Sequence, residues 1–152
     1  MSDPTFRTYT ATLEDYFRDG DLKAHEKAEE ASNVHLIQEL MLAIGRNDPA
    51  ASGELLTDDV ELDIRAVVDL PFIRSAKGKQ PFLEAVWKNF GELQDQQPNI
   101  TAVIAQGDTV IILAQEQGEL RKTSERYQVQ GMHRYVFRDG KIALVQELIL
   151  PA

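Results

Sequence analysis

Apolar residues recur along this chain with two different periods, and the change from one to the other divides it into a helical first half and a sheet-forming second half. In "DLKAHEKAEEASNVHLIQELMLAIGRND", starting at Asp21, the residues Val34, Ile37, Leu40, Met41 and Ile44 recur at spacings of three and four. Such spacing predicts one apolar face of a helix. Gly45 suits its terminus, and Pro49 suits the first turn of a short second helix reaching Leu56. A third helix is predicted over "KQPFLEAVWKNFGEL", where Phe82, Leu83, Val86, Trp87 and Phe90 form a broad apolar face. Between the second and third helices, Val60, Leu62 and Ile64 alternate with polar residues as in a half-buried strand, and "VVDLPFIRSAKGK" reads as a loop. Upstream, Thr12 is positioned to cap a turn or two of helix over "LEDYFRD", stopped by Gly20.

From there on the period is two. "NITAVIAQGDTVIILAQEQG" holds two β-branched runs around a Gly-Asp turn, and "YQVQGMHRYVFRDGKIALVQELIL" holds two longer ones around "RDGK". Helices first and a four-strand meander last predict an α+β domain, a curved mixed sheet of about five or six strands with three main helices on one face. No repeat or linker-like stretch divides it. The expected organisation is an N-terminal helical extension over residues 1–31 and one domain over residues 32–152.

Composition narrows the function classes. The chain has 152 residues, 43% hydrophobic, enough for one domain to bury a core. With 25 acidic against 16 basic residues the net charge is -9, which repels phosphate backbones and anionic lipid heads, so neither nucleic acid nor a membrane is an expected partner. The absence of cysteine excludes disulfides, thiolate metal sites and cysteine nucleophiles, and fits a cytoplasmic protein. The three histidines, His25, His35 and His133, show no ligand spacing, so no metal is expected, and no cofactor motif is present. His25 belongs to a charged, solvated helical stretch, and His35 borders the apolar helix face.

His133 is different because it lies within an alternating strand, and its partner depends on the turn that follows. If Asp139-Gly140 is a two-residue turn, Arg138 opposes Lys141 and His133 faces Gln146. If Gly140 is the bulge of a three-residue loop, Phe137 opposes Lys141, and His133 faces Val145 with Glu147 on the diagonal.

The order of elements, with "GRNDPAASGELLTDDVELDI" and "RYQVQGMHRYVFRDGKIALVQEL", resembles the SnoaL-like and ketosteroid isomerase-like branch of the nuclear-transport-factor-2-like superfamily from about Ser32 to Leu150. The resemblance implies a cone-shaped sheet around a long helix, an apolar cavity at the wide end, and a homodimer formed through outer sheet faces. Its face assignment favours the three-residue loop, with His133, Tyr135, Phe137, Val145, Glu147 and Ile149 on the concave side and Met132, Arg134, Val136 and Gln146 outward. The isomerase pattern puts its catalytic base on Ile64, its oxyanion-hole tyrosine on Leu40 and its oxyanion-hole acid on His133. Aliphatic Ile64 and Leu40 can neither take a proton nor donate a hydrogen bond to an oxyanion, so steroid isomerisation is not expected.

The candidate catalytic pair is therefore His133 and Glu147, in which the carboxylate would fix the tautomer of the ring. Its bland counterpart is a buried polar pair with no substrate. Candidate ligand-binding positions are Leu40, Ile64, Trp87, Tyr127, Tyr135 and Val145, and the expected partner is a small apolar molecule. Trp87 has an ordinary core role as its alternative. Asp63 and Arg65 should point away from the cavity by alternation. Asp69 and Arg74 lie in the loop near its expected mouth. The pair Asp58-Asp59 fits turn hydrogen bonds at a helix-to-strand corner. Three classes of function fit these residues: an acid-base isomerase, cyclase or dehydratase for an apolar carbonyl compound, a non-catalytic binding module, and a partner-binding subunit.

Overall fold

The computed structural model describes residues 24–152, with side chains from residue 28 onward. The helix predicted after Thr12 and the side chain of His25 lie outside the described residues. Helix α1 (Ala24–Gly45) runs without a break across position 32, followed by α2 (Pro49–Glu54) and α3 (Lys79–Gly91). Asp48 caps α2 by accepting a hydrogen bond from the Ala51 amide at 3.0 Å, and Pro49 opens the helix where its missing N–H is not needed.

Six strands form one sheet: β1 (Leu56–Ala66), β2 (Ser75–Lys77), β3 (Leu93–Gln106), β4 (Thr109–Leu120), β5 (Arg126–Arg138) and β6 (Lys141–Pro151). Their order is β2-β1-β6-β5-β4-β3, antiparallel throughout except for the parallel pair β1 and β6. This is the α+β mixed sheet that the two periods predict. Strand β2 falls within the stretch read as a loop. It pairs Ser75 to Lys77 with Asp63 to Glu61 along the free edge of β1.

The core lies between the concave sheet face and the helices, where Leu40, Leu56, Val60, Phe82, Val110 and Ile142 are almost wholly buried. The first part of α1 is fixed to the β3–β4 turn from both sides of one residue. Asn33 Nδ2 donates to the Gly107 carbonyl at 3.3 Å, and the Gly107 amide donates to Glu30 Oε1 at 3.0 Å. Asn89 performs the same service for the loop before β2. Its amide accepts from Ile73 N at 2.8 Å and donates to Ile73 O at 3.0 Å, tying that loop to α3.

The β5–β6 turn corrects the expected three-residue loop. Arg138 pairs with Lys141 around the two-residue turn Asp139-Gly140, whose φ values of 53° and 73° are the left-handed pair that such a turn requires. Yet Gln146 is not the neighbour of His133. The ladder skips Ala143, so that Phe137 pairs with Ile142 but Val136 pairs with Leu144, and His133 faces Glu147 directly. One extra residue on β6 restores the inward set that the longer loop would have produced.

Candidate functional site

Roofed by α1 and α3 and floored by the sheet, a cavity of about 890 Å³ opens on one side of the molecule. Exposed Met41, Leu42, Phe90, Ile100 and Val103 line it and mark its mouth. Alternation delivers the remaining wall: Leu62 and Ile64 from β1, Ile112, Ala114 and Glu116 from β4, Tyr127 to Tyr135 in steps of two from β5, and Val145, Glu147 and Ile149 from β6. Leu40, Ile64, Tyr127, Tyr135 and Val145 therefore share one cavity with His133 and Glu147. Trp87 does not reach it. One face of α3 turns Phe82, Val86 and Phe90 to the cavity, while Trp87 is half-buried with Leu83 in a separate surface groove beside α2.

Polar groups are few and clustered. His133 Nδ1 lies 3.9 Å from Glu147 Oε1, longer than a hydrogen bond but close for an ion pair. Ile64 is the register partner of Glu147 on the other side, so the carboxylate sits one strand over from the position where the isomerase resemblance puts a base. Burial pushes the Glu147 carboxyl above its ordinary value; the charge of His133 opposes this and that of Glu116 adds to it. Tyr127 donates from its hydroxyl to Glu116 Oε2 at 2.7 Å, and burial, followed by this bond to Glu116, raises its phenol. Tyr135 is fully buried, which raises its phenol first, with the charge of Glu147 adding.

Glu116 was not among the sequence candidates. The signal was available, since Val110, Ile112, Ala114 and Glu116 share one phase of the β4 alternation, and a carboxylate in an otherwise inward apolar phase is the exception to explain. Gly118 explains how Tyr127 reaches it. A Cβ there would lie 2.6 Å from the tyrosine hydroxyl, so the ring occupies the space that a side chain would take.

Other charged candidates face away. Arg65 pairs with Asp63 at 3.4 Å, Asp63 accepts from Gln146, and Gln146 accepts from Arg134, all on the convex face. Asp58 and Asp59 lie inside β1 rather than at the expected corner, and they make ion pairs with Lys79 and Arg138. Arg74 donates to the Ala66 carbonyl, and neither it nor Asp69 lines the cavity. His35 is exposed and lies 2.9 Å from Glu39. Among the described residues no cluster of three or more His, Cys, Asp or Glu could hold a metal ion, and no helix is long and apolar enough to cross a membrane.

A strongly curved six-strand sheet closing over helices around an apolar cavity is the architecture of the NTF2-like proteins. Within that class, residues 37–145, most of the chain, match the model of the SnoaL-like domain, and the chain belongs to that family. An NTF2-like protein from Burkholderia xenovorans superposes with a TM-score of 0.68 at 19% identity, covering 79% of this chain and 90% of that one. A protein described as a SnoaL-like polyketide cyclase, from Jannaschia, gives 0.66 at 13% identity over 79% and 86%. An epoxide hydrolase from M. tuberculosis gives 0.57 at 15% identity over 80% and 84%. At these identities the likeness is one of fold. No curated protein matches the sequence.

Proposed function

We propose that the protein is an acid-base enzyme acting on a small, largely apolar carbonyl compound, by isomerisation, cyclisation or dehydration. In this reading His133 carries the proton to or from carbon, and Glu147 orients the ring and balances its charge. The observation that supports it best is the placement of this one pair, directly opposed across β5 and β6, on the wall of a largely apolar cavity. Neither side chain is closed off, with 32% and 23% of their surface exposed, and the side from which they can be reached is the cavity. The apolar wall would hold the body of the substrate and exclude water from the reacting atoms.

Deuterium exchange at the α-carbons of a panel of small cyclic ketones and enones, followed by NMR, tests the reading. Exchange above the buffer rate is expected, falling by about two orders of magnitude in His133→Gln, the usual size of a lost general base. Binding of panel members without exchange would favour a second reading, a non-catalytic binding module, for which the aliphatic Ile64 and Leu40 on the cavity wall speak.

The same proposal includes a homodimer through the convex sheet face. Ile104 and Leu113 are exposed there, and Met132, the register partner of Leu113, continues the apolar strip. Light scattering should give the mass of two chains, and Leu113→Glu should give the mass of one. A monomer mass for the unaltered chain at micromolar concentration would remove the dimer from the proposal.

A further inference from the structure

The charge of the cavity wall is one-sided. Among the described residues that line it are two carboxyl groups, those of Glu116 and Glu147, and a single basic nitrogen heterocycle, that of His133, and among them there is no lysine or arginine. The nearby arginines on β5 are engaged elsewhere: Arg126 with Glu119, Arg134 with Gln146 and Arg138 with Asp59. Glu116 receives the Tyr127 hydroxyl. Among the described residues Glu147 receives no hydrogen bond at all, although it is deeply placed, and its nearest ionic partner is His133 at 3.9 Å. A carboxylate in apolar surroundings without donors is costly, and either a proton or a neighbouring cation relieves it.

The wall around these acids favours the second kind of relief by a particular sort of cation. Among the described residues five phenylalanine and tyrosine rings line the cavity: Phe72, Phe82, Phe90, Tyr127 and Tyr135. Ring faces attract alkylated ammonium groups, whereas a small inorganic ion needs a fuller set of oxygen ligands than two separated carboxylates provide.

We propose that the ligand of this cavity is an organic cation, a small molecule with an apolar body and one protonated or quaternary amine that lies against Glu116 and Glu147. This names the substrate class of the site proposed above and rests on that cavity being the binding site, though not on turnover. Anionic compounds, such as carboxylic acids and phosphate esters, are excluded by the same two groups. The direction of the Glu147 shift agrees: burial first, and then the charge of Glu116, make its ionised form costlier, the charge of His133 opposes this, and an ammonium group beside it would act in the same sense as His133.

Calorimetry with three probes of similar shape tests the proposal: benzyltrimethylammonium, its uncharged carbon isostere neopentylbenzene, and 3-phenylpropionate. The cation should bind at least about tenfold more tightly than the hydrocarbon, with no binding of the anion. Glu116→Gln and Glu147→Gln should each reduce that ratio, and the double variant should remove it. The unaltered protein supplies a second readout that needs no variant, because a cation favours the ionised form of the carboxylates, so its affinity should rise with pH while that of the hydrocarbon should not. Hydrocarbon binding as tight as that of the cation would overturn the proposal while leaving the cavity as a binding site for neutral compounds. Binding of neither would overturn it together with the cavity reading. A preference for the cation that persisted in the double variant would also overturn it, since the carboxylates would then not be its cause.

Discussion

His133 stands directly across the β5–β6 ladder from Glu147, with Nδ1 3.9 Å from Oε1, and Glu147 in turn lies beside Ile64 of β1. The carboxylate is thus flanked by one basic and one aliphatic neighbour. Its protonation is favoured by the fold, so in the window above the ordinary value of 4.5 the native state keeps a proton that the unfolded chain has released. Where the native state binds more protons than the unfolded state, stability falls as pH rises. Its contribution is complete below 4.5 and is lost as pH rises through the raised native value. Glu147→Gln should flatten that decline and stabilise the protein at about pH 8 by roughly 1 kcal/mol, because a neutral amide costs less than a charge in the same place. Thermal melts over a pH series measure this, and an unchanged slope would count against a burial-shifted Glu147.

Gly118 and Tyr127 give a second expectation. In Gly118→Ala the new methyl group would come within 2.6 Å of the tyrosine hydroxyl and 2.9 Å of two ring carbons, so the ring must move and its bond to Glu116 must break. A cost of about 1 to 3 kcal/mol is expected from such overpacking. Removing the hydroxyl by Tyr127→Phe should matter in the parent and have little further effect in Gly118→Ala, a coupling that denaturant titration of the four proteins would reveal.

The loop before β2 depends on Asn89. Asn89→Ala deletes both hydrogen bonds to the Ile73 backbone and should cost about 2 kcal/mol. Hydrogen exchange should rise at Ile73 and its neighbours while the amides shared by β4 and β5 stay protected. Exchange that rose equally everywhere would mean that Asn89 supports the whole core rather than this loop.

Steroid isomerisation offers a control on the site. With Ile64 and Leu40 at the aligned positions, turnover of a 3-oxo-Δ5-steroid should remain near background. Ile64→Asp places a carboxylate beside Glu147 and is expected to raise that background. Activity in the parent that disappeared in this variant would contradict the alignment.

The long elements were legible because each buries a single periodic face: α1 through Ile37, Leu40 and Ile44, and β5 through alternate residues up to Tyr135 and Phe137. Strand β2 was not, since three residues of Ser-Ala-Lys carry no period and pair only because the β1 edge is there. Trp87 takes the core role given as its alternative, packing against the buried cluster, because the apolar face of α3 is wide enough to serve both the cavity and α2, and sequence spacing does not say where it divides. The skipped Ala143 left a trace that alternation could have exposed. Ile142 and Val145 are both buried, yet no uninterrupted strand puts an even and an odd position on the same side.

That skipped residue also sets the parity of the cavity lining along β6. Odd-numbered positions of β6 beyond Ala143 face the interior, and even-numbered ones face solvent. Loss of Ala143 alone, with every other residue retained and the hairpin turn intact, would bring Leu144 directly after Ile142 against Val136 and Phe137 and leave a regular ladder, with Glu147 still opposite His133. A single-codon deletion at this point is therefore a local loss of the bulge rather than a change of lining, and a relative that lacks this residue would keep the same equipped interior on the same frame.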